Sequence, residues 1–481
     1  MPKIDRRGFL AAIGGGAAAV ALSGLVRKAA AEAAPAAERP NIILAMTDDQ
    51  GWADVGYNSA TNSERAFVKT PVMDEMAAAG LRFNRFYAQA PLCSPTRGSV
   101  MSGRHPFRYG TFSPGSPFRA QEMTIAQALK SAGYTTGHFG KWHLNGVSGP
   151  GKPVSGDDPL SPGRFGFDEW FSVSNYFGLD WTFSRKGEEV KATGDGSDVI
   201  VAEALKFIRQ AAADKKPFLA VVWYGSPHVP IDPLPEYKEK AGGSAYYGEI
   251  YGVDHSLGTL RAELRKLGIA ANTLLWFNSD NGGVPPGSMG NLRGKKGTVW
   301  EGGLRVPGII EWPARIRKAA VTDVPAVTSD IYPTVLDFVG VKVPNQVEPI
   351  DGISLRPVVE GKMTERPKPI GFWHGGGGAK DKGHAALTEN TYKLHKLGPE
   401  KYELYDLLAD PAESKDLAAE KPDVVARMKA ALEAWQDSVV KSLAGGDYPG
   451  GLLPAPAASA SPDAPPKKAG KKGKKAAAGG N

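Results

Sequence analysis

Residues 40–49 read Pro40-Asn41-Ile42-Ile43-Leu44-Ala45-Met46-Thr47-Asp48-Asp49. The apolar run from Ile42 to Met46 is too short for an ordinary helix and has no alternation, so it predicts a strand buried on both faces. A strand of that kind belongs in a parallel sheet covered by helices. Similar runs follow at Phe218 to Tyr224, after Pro217, and at Thr273 to Phe277. Val306 to Trp312 is a fourth candidate strand. Helical patterns separate them. Thr70 to Ala79 has Pro71 at the first helical position and Gly80 as its stop. Glu122 to Ala132, Asp198 to Ala212, Tyr247 to Leu267 and Asp330 to Val339 complete the set. The alternation predicts an α/β fold: a large mixed, mostly parallel sheet flanked by helices.

Further along, the pattern changes. Lys368 to Leu407 holds shorter strand-like pieces with glycine-rich turns, and Asp423 to Val439 is an amphipathic helix. These predict a smaller C-terminal α+β subdomain with a short antiparallel sheet. The expected organisation is 1–37 as an export signal, 38–365 as the main domain, 366–443 as the subdomain and 444–481 as a disordered Lys/Ala/Pro-rich tail.

The signal rests on Arg6 and Arg7, an Ala/Gly-rich stretch up to Val26, and small-residue cleavage options near Ala31 to Ala37. This pattern predicts twin-arginine export to the periplasm or beyond. The rival reading, a membrane anchor, is weaker because the stretch is short and interrupted by glycine. No later segment approaches the roughly 18 apolar residues that would span a bilayer. The chain's net charge of +7 comes from its ends, +2 over 1–38 and +5 over 454–481, so 39–453 is neutral. A neutral body has no cationic excess for a phosphate backbone, which argues against nucleic acid as a partner. The single cysteine, Cys93, excludes an internal disulfide.

Residues 93–104 read Cys93-Ser94-Pro95-Thr96-Arg97-Gly98-Ser99-Val100-Met101-Ser102-Gly103-Arg104. Ser94 as N-cap and Pro95 at the first helical position place Cys93 just before a helix N-terminus. That position, with Arg97 folding back, would activate a thiol. Asp48 and Asp49 lie at the end of the first strand, and Asp280 and Asn281 follow another strand. Adjacent carboxylates repel one another unless a cation joins them. An all-oxygen set suits a hard ion such as calcium rather than zinc. Ligands in open α/β sheets gather at the strands' C-terminal ends. In Gly140-Lys141-Trp142-His143, an extended backbone would point Lys141 and His143 to one side. On its own, such a pair is usually solvated surface.

The stretch C-x-P-x-R followed by S-x-x-x-G-R resembles the signature of the sulfatase family. Other blocks recur in the same order: Asp48-Asp49-Gln50-Gly51, Gly140-Lys141-Trp142-His143, Ser226-Pro227-His228, Ser279-Asp280-Asn281-Gly282, Leu292-Arg293-Gly294-Lys295-Lys296-Gly297, and Glu403 to Leu407 with Asp410-Pro411. The resemblance spans about Asn41 to Leu417. It implies an alkaline-phosphatase-like fold and hydrolysis of a sulfate monoester. It implies that a formylglycine-generating enzyme oxidises Cys93 to an aldehyde whose hydrate attacks sulfur. It further implies calcium held by Asp48, Asp49, Asp280, Asn281 and the modified Cys93. Arg97 would stabilise the hydrate, Lys141 and Lys296 would hold the sulfate, and Asp280 would orient or deprotonate the nucleophile. His228 would protonate the leaving group, and His143 would take the proton that lets sulfate depart. Spacing to Gly297 favours Lys296 over Lys295, with the choice left open.

The substrate expected is a sulfated sugar, polysaccharide or aryl sulfate. His374 is a candidate contact from the subdomain, although a histidine beside glycines is more often solvated. Three rivals share parts of this reading: a phosphonate or phosphate ester hydrolase of the same superfamily, a silent binding protein, and an enzyme that uses the Cys93 thiol directly.

Overall fold

The structure, a computed structural model, describes residues 39–59 and 68–454. The twin-arginine segment and the Lys-rich stretch from 455 onward lie outside the described residues.

Among the described residues seventeen strands are numbered in chain order. They are β1 (Asn41–Thr47), β2 (Leu81–Phe83), β3 (Phe86–Tyr87), β4 (Thr135–Lys141), β5 (Glu169–Val173), β6 (Thr182–Arg185), β7 (Glu188–Lys191), β8 (Phe218–Trp223), β9 (Thr273–Ser279), β10 (Arg305–Val306), β11 (Gly308–Glu311), β12 (Ala320–Thr322), β13 (Ala326–Val327), β14 (Ile370–His374), β15 (His384–Thr388), β16 (Tyr392–Lys396) and β17 (Tyr402–Asp406). Ten form one sheet in the order β12-β2-β11-β9-β1-β8-β4-β5-β6-β7. β9, β1, β8, β4 and β5 run parallel at its centre. β11 is antiparallel to both β9 and β2. The run expected over Val306 to Trp312 therefore breaks in two, with Arg305–Val306 pairing outside the large sheet.

The unbroken apolar runs explain the layers. Successive side chains on a strand point to opposite faces. Ile42, Leu44 and Met46 pack with Val100 and Met101 of α2 (Cys93–Ser102), Ile125 and Leu129 of α3 (Ile125–Ser131) and Ile331 and Val335 of α6 (Ile331–Val339). Ile43 and Ala45 pack on the other face. They meet Met73 and Met76 of α1 (Pro71–Ala79), Ile200 and Ile208 of α4 (Gly196–Ala213) and Val253 and Leu257 of α5 (Ala245–Lys266). Each fully buried Ile or Leu contributes about 1.5–3 kcal/mol, which anchors β1 from both sides.

α3 begins at Ile125 rather than Glu122. Thr124 and Gln127 form a reciprocal capping box that fixes the first turn there. β4 has no apolar run, and the sequence gives little sign of it. Its residues Gly137, His138 and Gly140 let it lie close to β8. A Cβ on Gly140, at φ +102°, would meet the Trp223 carbonyl oxygen at 2.0 Å.

β14 to β17 form an antiparallel four-stranded sheet. It packs through Trp373, Leu387 and Leu394 on Met428, Leu432 and Val439 of α7 (Pro422–Leu443). The expectation of a disordered tail from 444 fails over its first eleven residues. Asp447 pairs with buried Arg104 at 2.7 Å, the Tyr448 hydroxyl donates to Glu122, and Gln121 clamps the backbone at Gly451 and Leu453. These partners lie far away in sequence, which a composition argument cannot register. Among the described residues no helix is long and apolar enough to cross a membrane.

Candidate active site

The loops leaving β1, β4, β8 and β9 converge at the C-terminal edge of the parallel strands. β1 delivers Asp48 and Asp49, and β9 delivers Asp280 and Asn281. The N-terminal turn of α2 brings Cys93 to the same point. One ligand atom each from Asp48, Asp49, Cys93 and Asp280 lies within 4.8 Å of the others, and all four residues are buried. Asp49 takes a positive φ of 65°. Its backbone N–H donates to Asp280 Oδ1 at 3.1 Å, which ties the two acidic loops together.

Three cations face these acids. Lys141 Nζ lies 2.5 Å from Asp48 Oδ2. Lys296 Nζ lies 2.6 Å from Asp49 Oδ1. Arg97 donates to Asp280 Oδ2 at 2.7 and 3.2 Å while its guanidinium rests 5.1 Å over the Trp223 ring. Lys295 is exposed, and its backbone N–H donates to the Thr298 hydroxyl. Burial alone would raise the Asp48 carboxyl, but Lys141, His228 and Arg97 outweigh it and hold it well below the usual range. Asp280 is pushed up to about 6 by burial and by Asp48, against the pull of Arg97.

Cys93 departs from two expectations. It is the first residue of α2 and not the residue before it, because the cap falls on Leu92. Ser94 instead accepts a hydrogen bond from the Gly115 backbone at 2.9 Å. Nor is its thiol activated: burial pushes it up, and the nearby Lys141 and Lys296 do not offset this.

The extended reading of Lys141-Trp142-His143 also fails. β4 ends at Lys141, Trp142 is buried in the core, and His143 adopts a positive φ of 54°. That turn, rather than strand alternation, keeps His143 beside the cluster. Its ring is 2% exposed, and neither nitrogen has a hydrogen-bond partner among the described residues. Burial, with Lys141 and Arg97 nearby, holds the imidazole neutral.

His228 lies between the cis bonds Ser226-Pro227 and Val229-Pro230. Its Nδ1 donates to the Val229 carbonyl at 2.8 Å, and its Nε2 is 3.7 Å from Asp49 Oδ2. Tyr176 stacks on the ring at 4.8 Å. His374, at the end of β14, faces His384 across the small sheet and makes none of the cluster's contacts.

Sequence reasoning missed the supports. Asp54 accepts from the backbone of Gly51 and Ser288 and from the Tyr246 hydroxyl, fixing the loop after Asp49. Trp223, read only as a strand residue, forms the floor under Arg97. Either could be suspected only once the chain is folded, because Tyr246 and Ser288 lie more than 100 residues from Asp54, and Arg97 lies as far from Trp223.

The donor set fits a hard cation. Three carboxylates converge, and the Asn281 side-chain oxygen is buried without a partner among the described residues. Such an oxygen is costly to leave unmatched and suits an oxygen-loving ion.

A mostly parallel sheet with this acid-and-lysine cluster at its C-terminal edge defines a hydrolase of the alkaline phosphatase superfamily. The chain belongs to the sulfatase family: residues 40–341 match the family model described as Sulfatase. Residues 294–438 match the model described as N-sulphoglucosamine sulphohydrolase, C-terminal. N-acetylgalactosamine-6-sulfatase of Mus musculus is 32% identical, over 76% of this chain and 73% of that protein. The ulvan-active sulfatase of Formosa agariphila is 28% identical, over 80% of this chain and 78% of its own length. Among solved structures, Ps i-CgsB in complex with k-i-k-neocarrahexaose superposes with a TM-score of 0.74 at 27% identity, covering 83% of this chain and 93% of that one. A phosphonate monoester hydrolase of Agrobacterium radiobacter shares the fold, with a TM-score of 0.62 at 20% identity, over 85% of this chain and 97% of that one.

Proposed function

We propose that this sulfatase removes sulfate from sulfated carbohydrates, with Cys93 acting as a formylglycine and calcium bound by Asp48, Asp49, Asp280 and Asn281. The observation that carries the reading is the burial of Cys93 among three carboxylates and three cations, with its thiol pushed up rather than down. A nucleophilic thiol needs the opposite environment, so direct thiol chemistry is disfavoured. Oxidation of Cys93 would supply a hydrated aldehyde, whose two hydroxyls on one carbon offer both a nucleophile and a way to release the product. A calcium ion would supply charge to polarise the sulfate and lower the nucleophile's proton affinity.

The chain's own groups do the remaining work. Lys141 and Lys296 carry fixed positive charge to the sulfate oxygens. Arg97, clamped on Asp280 and Trp223, holds the α2 terminus and that carboxylate in register. Asp280, whose carboxylate lies within 4.8 Å of Cys93 Sγ, would take or orient the proton of a hydroxyl at position 93. His228 binds the Val229 carbonyl through Nδ1, which leaves Nε2 as the nitrogen that would protonate the departing oxygen. His143, neutral and unpartnered, has a lone pair ready to accept a proton as sulfate is released. The relatives' names point to sulfated sugars, and twin-arginine export after Cys93 conversion would place the enzyme among extracellular polymers.

The test is sulfate release from 4-nitrophenyl sulfate and N-acetylgalactosamine 6-sulfate, set beside phosphate release from 4-nitrophenyl phosphate. The proposal requires kcat/KM to favour the sulfate esters. A preference for phosphate would transfer the site to the phosphonate or phosphate ester hydrolases.

A further inference from the structure

A second pocket lies on the same edge of the sheet as the cluster. β2 runs antiparallel to β11, which runs antiparallel to β9, which is parallel to β1. Hence β2 and β1 end on the same side. β2 stands three strand positions from β1, a lateral offset of roughly 14 Å at the usual spacing. The loop after β2 and the turn after β17 enclose a cavity of about 320 Å³.

Its lining combines cations, aromatic rings and an apolar wall. Arg85 is satisfied by the carbonyls of Glu389 and Asn390, and Arg305 by the Asn84 carbonyl with Glu301 nearby. Arg82 differs. Its guanidinium stacks 5.5 Å over the Tyr57 ring, its Nε is buried, and among the described residues it has no hydrogen bond or ion pair. The Tyr57 hydroxyl and the Trp52 indole N–H, which line the same cavity, are also buried without partners among the described residues. Among the described residues of the lining the one acidic side chain, Asp323, accepts from Asn84 at 2.7 Å. Leu408, 58% exposed, forms the rim.

Buried donors that lack acceptors are uncommon, and an unpaired arginine among them selects an anion with several oxygens. Aromatic and aliphatic walls suit the face of a sugar ring. We propose that Arg82, Tyr57 and Trp52 form an accessory subsite for a second sulfate group on the same carbohydrate chain whose other sulfate occupies the cluster around Cys93. The inference rests on the sulfatase reading above and extends it: the substrate is an oligosaccharide long enough to reach both pockets, not a single sugar. The neutral charge of residues 39–453 disfavours a nucleic-acid occupant.

The experiment compares wild type with Arg82→Gln on 4-nitrophenyl sulfate and on a chondroitin 6-sulfate hexasaccharide. Hydrolysis of the small ester stays unchanged. KM for the hexasaccharide rises about tenfold with kcat retained, as expected for loss of one charge-assisted pair. Arg82→Lys recovers part of the loss, and Leu408→Asp, which puts a carboxylate on the rim, weakens hexasaccharide binding to the same degree. Titration of the hexasaccharide into Cys93→Ala protein with and without Arg82→Gln reads the same loss in the absence of turnover. An unchanged KM and unchanged binding overturn the subsite, as does equal weakening toward a DNA duplex. Failure of wild type to cleave even 4-nitrophenyl sulfate would instead count against the sulfatase function itself.

Discussion

Replacing Lys393 by Met should destabilise the protein by about 3–5 kcal/mol, because it strands buried carboxylates. Lys393 is fully buried on β16, with its Nζ 2.9 Å from Glu301 and 3.1 Å from Glu413. Both carboxylates are also fully buried. At these separations each attraction is worth about 5–6 kcal/mol for an effective dielectric of 20, a gross figure set against the desolvation of three ions. Removing the ammonium removes the attraction and leaves the desolvation. Glu413 also accepts from the Glu301 backbone at 2.7 Å and from His395 at 2.6 Å. This knot fastens the subdomain sheet to the loop that carries Lys296. Urea unfolding followed by tryptophan fluorescence would measure the change. Activity well below the melting temperature should fall in parallel, since the loop loses its anchor. Adding Glu413→Gln should recover part of the loss, because it removes one stranded charge. A loss below about 1 kcal/mol in the single variant would show that the knot is hydrated or already neutralised, and would refute the reasoning.

Three further outcomes follow from the geometry. Chelation should abolish turnover and lower the melting temperature, and calcium at 100 times its Kd should restore about 2.7 kcal/mol; full activity in metal-free protein would remove the cation from the site. Burial, opposed by Asp351 and aided by Arg108, lowers His105 to about 3, so this ring stays neutral in the fold while the free side chain titrates near 6.5. Its contribution is complete above the free value and is lost as pH falls, so the stability advantage of wild type over His105→Gln should shrink by about 1.4 kcal/mol per pH unit between roughly pH 6 and 4, as read by denaturant melts; a constant difference would contradict this. Ending the chain after Pro454 should leave hydrolysis of a small aryl sulfate unchanged, whereas ending it after Ala444 should cost about 3 kcal/mol or more by removing Asp447 and Tyr448 from Arg104 and Glu122; equal melts for the two truncations would rule out a structural role for 445–454.

What the sequence revealed depended on how local the cause was. β1, β8 and β9 were legible because a strand buried on both faces must be apolar throughout. β4 was not, since glycine and histidine make it compatible with its neighbours only through contacts with Trp223 and Ser172. The cluster's members could be proposed from motif order. Their pairing could not: that Lys141 meets Asp48 while Lys296 meets Asp49 depends on where three loops cross. The orientation of His143 was misread because a positive φ leaves no mark on its neighbours, and the state of the Cys93 thiol because burial cancels what a helix terminus and two lysines offer. The packed segment after 444 escaped composition for a similar reason, since its partners Arg104 and Glu122 lie over 300 residues earlier in the chain.

The account turns on the chemical state of position 93. Protein should be purified after co-expression with a formylglycine-generating enzyme, and the peptide containing Cys93-Ser94-Pro95-Thr96-Arg97 analysed by mass spectrometry before and after reaction with a hydrazide. The account predicts a peptide about 18 Da lighter than the thiol form, unlike the heavier products of ordinary thiol oxidation, with its hydrazide-reactive fraction tracking specific activity across preparations. Fully active protein that retains one equivalent of free thiol and no aldehyde would contradict it.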